Sequence, residues 1–386
     1  MISVDGAENP WKTIYPFIAL HDTSAANTSL YHALLAQSAF HLSNLHLPKS
    51  AESRRNRQRG LEHYVESLIQ LQESLKSTIT DFDAPIATLM TLTMVEGVYA
   101  AESQQWRCHI EGAVSVLAET MKRIPRLVST NAWILAQSLV LLFELAQTSR
   151  PHMDRLSNAM DGLREFVSSK PIFGYTVGAS RDVLCSIAGI HAVRTKMEDG
   201  LKRNDAIESV TPLLESLQSE ESDSDLPQFL LEHHHGPGTT TDSRILPMKS
   251  VRQLEMLHRR IFRNATIIYL HRTIFNSHPL MLEDYVDRVL DDTIAFLDHH
   301  GGSVAPWPVF MAAIDAYKGS AQTKVSRWLE YSCALGIHNR YAFKQIIEDV
   351  WAERENRASL SKIEPHQIIV DWKQIQKKLG IDVLLL

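Results

Sequence analysis

Apolar residues recur at three- and four-residue steps along nearly the whole chain and hardly ever alternate, a pattern that restricts it to helices packed on helices. In residues 28 to 46, Leu30, Leu34, Ala36 and Phe40 mark a stripe, with Thr28 or Ser29 as N-cap. In residues 60 to 79 the stripe is Leu61, Tyr64, Val65, Leu68, Leu71, Leu75 and Ile79. Asp83 is placed to cap a helix that carries Pro85 in its first turn, encloses Glu96 and runs to Ala101. The run from Ala132 to Ala146 is shorter than the roughly 20 residues a membrane span needs, and it holds Gln137 and Glu144; it reads as a core helix. Further helices are predicted over 104–121, 130–148, 153–168, 180–200, 204–218, 249–275, 279–299, 307–318, 320–335, 338–357 and 366–379. The expected fold is all-α, an irregular array of about a dozen helices in one or two lobes.

One stretch breaks the pattern. Residues 219–246 are first acidic and polar, then join the run His233 to His235 to glycine and proline, too poor in apolar residues to pack. They divide a single domain, 1–386, into an N-terminal helical part (10–218), a disordered loop (219–246) and a C-terminal helical part (247–386). A histidine run on such a loop has no fixed geometry, so no metal and no other cofactor is expected. Cys108, Cys185 and Cys333 lie far apart, which fits a reducing compartment, nucleus or cytoplasm, rather than a disulfide framework. The N-terminus has no basic and apolar signal segment. With 39 basic against 45 acidic residues the chain lacks the positive field that holds a phosphate backbone; neither direct nucleic-acid contact nor membrane binding is expected. The run Arg54 to Arg59 reads as a short nuclear-localisation or phosphate-contact patch, or as the kind of basic run common on a solvated loop.

A few polar residues fall inside apolar helices. Asp315 sits in the run from Trp307 to Tyr317, and Glu96 in the helix after Asp83; a buried carboxylate is either paired or chemically active. For Glu96 the expected partner is an arginine or a tryptophan indole. His109 is two residues from Glu111, hence on another face, and reads as a core histidine. His191 and Arg194, three apart, share a face and with Trp307 and Arg272 are candidate ligand contacts; Asp315, Glu96, His109 and His271 are the candidate catalytic groups. Serine-elbow, P-loop, dinucleotide and zinc-protease motifs are missing.

An ordered series of motifs runs through the chain: "ENPWKTIYPFIAL", "LYHALLAQSAFHLSNL", "WRCHIEGAVSVL", "IIYLHRTIF", "WPVFMAAIDA", "VSRWLE", "IIEDVWAERE" and "DWKQIQKKLGIDVLLL". Together these resemble the fungal-specific regulatory domain of binuclear zinc-cluster transcription factors, as found in regulators of arginine catabolism and secondary metabolism. The resemblance implies a small-effector site and an acid at the position of Asp315, for which Arg272 is the partner expected from the motif. Two features depart from the family pattern. The six clustered cysteines of its DNA-binding module are missing, and "GSAQTKVSRW" lacks a flanking arginine that Lys324 or Arg327 would replace.

Two functions follow as expectations. The preferred one is a regulatory protein of fungal secondary metabolism without its own DNA-binding module, acting through protein partners, a small-molecule ligand and a homodimer. The alternative is a regulatory scaffold repurposed as a cofactor-independent cyclase, of pericyclic type, which works by orienting its substrate in a closed cavity.

Overall fold

The computed structural model describes residues 14–76, 82–100, 105–123, 130–149, 157–168, 179–219, 248–299 and 304–385. They form fifteen α-helices and, among the described residues, no strand. The N-terminal part holds α1 (Ile14–Ala19), α2 (Ala25–Leu45), α3 (Ala51–Lys76), α4 (Asp83–Met94), α5 (Trp106–Arg123), α6 (Thr130–Ser149), α7 (Ser157–Ser168), α8 (Arg181–Glu198) and α9 (Arg203–Gln218). The C-terminal part holds α10 (Met248–Leu270), α11 (Pro279–Asp298), α12 (Pro306–Ala313), α13 (Gly319–Ala334), α14 (Asn339–Ser361) and α15 (Trp372–Leu379). The acidic and histidine-rich stretch, with His233 to His235, lies outside the described residues apart from Ser219. No helix among those described is long and apolar enough to cross a membrane.

Helices α2 and α3 pack antiparallel, because Ser43 meets Ser53, His32 meets His63 and Ser67 donates to the Ser29 carbonyl. The contact is close where Gly60 faces Phe40: a Cβ there would lie 3.0 Å from the ring. Three segments run through the interior with every residue buried: Ala84–Met94 of α4, Trp133–Ser149 of α6 and all of α12. Their threonines fit because hydroxyls bond within the helix; Thr88, Thr91 and Thr93 each donate to the carbonyl four residues back. One continuous apolar cluster extends from Tyr15 to Leu385 and joins both parts of the chain.

Several boundaries differ from expectation. Helix α2 starts at Ala25 with Ser24 as its N-cap, its hydroxyl accepting from the Asn27 N–H, while Ser29 instead contacts Thr88. Helix α3 begins at Ala51, so Arg54 to Arg59 lie on a helix and not on a loop. Phe82, not Asp83, is the N-cap residue of α4. The helices predicted to reach Ala101 and Phe275 pass into π-helical turns at Val95–Ala100 and His271–Phe275. Such turns carry an inserted residue and recur at functional sites. Helix α12 stops at Ala313, because the Arg354 guanidinium, reaching across from α14, takes the carbonyls of Ile314 and Ala316. Asp315 therefore lies in a turn after the helix and not inside it.

Candidate functional site

Asp315 is 1% exposed and lies between two guanidiniums: Arg272 Nε is 3.4 Å from one carboxylate oxygen and Arg354 Nη2 is 3.6 Å from the other. Neither oxygen accepts a hydrogen bond within the described structure. Arg272 also donates to the carbonyls of Ser277 and Val370, fixing the second π turn to the segment before α15. Burial works against the Arg354 charge and lowers its pKa, while Asp315 opposes that shift. The arrangement ties α10, α12 and α14 together. Lys324 and Arg327 pair instead with Asp291 and Asp298 of α11, away from Asp315.

Glu96 lies on the first π turn, where the inserted residue turns its carboxylate toward α3 and α5. It accepts hydrogen bonds from the Tyr64 phenol and from His109 Nε2 at 3.2 Å, while Tyr64 and His109 lie 3.3 Å apart. The partners are thus a phenol and an imidazole, not the arginine or indole expected. Burial first, and the carboxylate second, push the Tyr64 phenol up, so that it stays a hydrogen donor. Glu96 and His109 come together; Tyr64 is the member that sequence reasoning read only as part of an apolar stripe.

Glu96 and Gly97 also border a cleft of about 330 Å³, completed by Trp106, by His338, Asn339, Tyr341, Ala342 and Gln345 at the start of α14, and by residues 380–383. The segment 381–385 is held tightly. Asp382 takes two bonds from Arg107 at 2.8 and 2.9 Å, the Trp106 indole donates to the Asp382 carbonyl, and Asn339 bridges the carbonyls of Gly97 and Leu384. Leu384 fills the space above Gly97, where a Cβ would lie 2.4 Å from its Cδ2.

A third cluster surrounds Glu144 of α6, which accepts from Arg164 Nε at 2.7 Å and from His191 Nδ1 at 3.0 Å. Burial opposes the Glu144 charge, but these two partners outweigh it and hold the carboxyl below its usual range. Burial also keeps His191 low, so it donates Nδ1–H as a neutral ring. Arg194, one turn on, donates to the Tyr269 hydroxyl and the Gln147 carbonyl. Trp307 packs edge-on against Tyr269 and donates to Thr148. His191, Arg194 and Trp307 therefore share one neighbourhood, which Arg272 and Asp315 do not enter by any contact described. His271 stands apart from all three clusters, bonded to Ser277 and stacked on Phe275. Among the described residues no group of three or more His, Cys, Asp or Glu is placed to hold a metal ion.

The architecture is that of an all-helical domain with buried ion pairs and a side cleft. Residues 1–386 match the model of the fungal-specific transcription factor domain, and the chain belongs to that family. No curated protein and no solved structure matches it. A regulatory role in general follows from the family.

Proposed function

We propose that this chain is the ligand-responsive regulatory part of a fungal transcription regulator, with the cleft beside Glu96 as its effector site. The carrying observation is the cleft itself. At about 330 Å³ it falls at the small end of the volumes that hold metabolites. Its floor is a π turn of the N-terminal half and its wall is the segment 380–383, so an occupant bears on two parts of the chain at once. Glu96, which Tyr64 and His109 hold from behind, offers a polar anchor; Trp106 and Tyr341 offer aromatic faces.

The motif series resembles that of regulators of arginine catabolism and secondary metabolism, which points our reading to genes of small-molecule metabolism and to action in the nucleus. The 386 residues contain three cysteines, too few for a binuclear zinc cluster, so this part of the protein contributes regulation through protein partners rather than zinc-cluster contact with DNA. The cyclase reading lacks support from the site: exposed His338, Tyr341 and Gln345 leave the cleft open to water, whereas orienting a reactive substrate calls for a closed chamber.

The test is a fusion of the chain to a heterologous DNA-binding module driving a reporter, read with and without fungal metabolite extract. The expected outcome is an extract-dependent change that Gln345→Trp blunts at unchanged protein level. Output equal to that of the bare DNA-binding module under both conditions would overturn the proposal.

A further inference from the structure

Helix α3 carries an apolar face that the packing of the chain leaves in solvent. Tyr64, Leu68 and Leu71 turn inward and join the main apolar cluster, whereas Leu61, Val65 and Ile69 recur at four-residue steps on the outer side. These three are 45%, 53% and 53% exposed. Among the described elements α3 packs chiefly on α2 and α4, so the outer side has no helix against it. Single exposed leucines are ordinary, but three branched aliphatic residues aligned over about 12 Å of one helix form a continuous strip.

The charges beside the strip are sorted along the helix. Arg55, Arg59, Glu62, Glu66 and Glu73 follow one another at steps of four, three, four and seven, which sets all five on one flank. Arg55, Arg59, Glu62 and Glu73 are exposed and Glu66 is half-buried. The arginines come first and the glutamates after. Within the chain the acids have only local partners: Glu62 and Glu66 accept from the neutral amides of Gln58 and Gln70, and Glu73 lies 3.5 Å from Lys76.

A helix of the same sequence running the other way presents these charges in the reverse order, and that complementarity names the occupant. We propose that α3 is the contact surface of a homodimer, packed antiparallel on α3 of a second copy about a two-fold axis that crosses the strip between Leu61 and Val65. Such an axis lays the same flank of both helices side by side, so Arg55 meets Glu73 of the second copy and Arg59 meets its Glu66, each pair formed twice. Leu61 packs on Val65 of the second copy and the strip leaves water. Parallel packing would set arginine against arginine and glutamate against glutamate, so the charge order selects the antiparallel arrangement. A surface one helix wide suits a dimer that forms reversibly. None of these residues lines the cleft beside Glu96, and the assignment does not depend on its effector role.

Sedimentation equilibrium of the purified full chain, at concentrations up to about 100 µM, tests it. A reversible monomer–dimer equilibrium is expected. Val65→Asp brings two carboxylates together near the axis and should raise the dissociation constant about tenfold or more. Arg55→Glu with Arg59→Glu makes the flank wholly acidic, and Glu66→Arg with Glu73→Arg makes it largely basic. Each of these should be monomeric alone where wild type is dimeric, and an equimolar mixture of the two should restore a dimer. The positions are exposed or half-buried, and circular dichroism establishes that the variants fold. In a chain carrying Arg55→Cys and Glu73→Cys, oxidation should link position 55 of one copy to position 73 of the other, mapped by mass spectrometry. The proposal is overturned by a monomer at every concentration, which would leave the strip to a different protein, by Val65→Asp dimerising like wild type, by a mixture no more associated than its components, or by a disulfide joining position 55 to position 55.

Discussion

Arg354 and Asp315 face each other sealed from solvent, and the same guanidinium holds the carbonyls on either side of that aspartate. Arg354 thus neutralises the carboxylate and also shapes the turn that presents it. Removing the acid leaves Arg354 and Arg272 buried without a counter-charge. Asp315→Ala is expected to cost about 3–5 kcal/mol, the range for breaking a buried pair from one side. Urea unfolding at neutral pH measures it; a loss below about 1 kcal/mol would show that the arginines find other partners. Arg354→Lys should also destabilise, because an ammonium cannot span two carbonyls as a planar fork does.

Gly97 and Leu384 give a second expectation. A methyl group at Gly97 would meet Leu384 Cβ at 2.8 Å as well as its Cδ2 at 2.4 Å, so rotation of the side chain end does not relieve it. Gly97→Ala should displace the 381–385 segment at a cost of about 1–3 kcal/mol, the range for overpacking. Faster proteolysis after Leu379, with the other helices still protected, is the signature to look for. Leu384→Ala in the same background should restore protection; if it does not, the two residues are not in contact.

What could be read in the sequence divides along a physical line. Trp307 and Phe310, or the run from Trp133 to Ala146, announce their burial because local spacing alone sets a helix and its apolar face. The partners of polar groups do not announce themselves. Tyr64 and Glu96 are 32 residues apart, and Asp382 and Arg107 are 275 apart, so only the packing of whole helices brings them together. The pairing of Asp315 with Arg272 was legible through the motif resemblance, whereas Arg354 sits in a polar run that resembles any solvated helix face. The start of α3 was missed because it is built from residues such as Ala51, Glu52 and Arg54, which favour helix by propensity without an apolar stripe to betray it. The two π turns leave no periodic trace at all.

His258 is expected to make the fold acid-sensitive. It packs against the rings of Phe262 and Phe296, its Nε2 accepts from the Ala305 N–H, and burial pushes its pKa down to about 3. Its ordinary value is 6.5, so between those limits the unfolded chain binds a proton that the folded chain refuses. Stability from this residue is whole above pH 6.5 and is lost as the pH falls toward 3, at up to about 1.4 kcal/mol per pH unit. Comparing urea midpoints of wild type and His258→Leu from pH 7 to 4 isolates it. The variant starts less stable, having lost the bond to Ala305, and its curve should be flatter; parallel curves would show that His258 does not titrate with unfolding.

Lys373 works in the opposite sense at the alkaline end. Its pKa is lowered from 10.5 to about 8 by burial and by Arg194, so between those values the unfolded chain holds a proton that the folded chain has released. Stability therefore rises as the pH increases from about 8 to 10.5, and below that window the ammonium is a standing cost. Lys373→Met should be more stable than wild type at pH 7, and the advantage should shrink above pH 8. The slope that disappears is at most one proton, about 1.4 kcal/mol per pH unit, reduced because the side chain keeps some contact with water. Thermal or urea unfolding of both proteins across pH 7 to 10.5 provides the comparison. A variant less stable than wild type at pH 7 would mean that the ammonium already has a counter-ion within the fold.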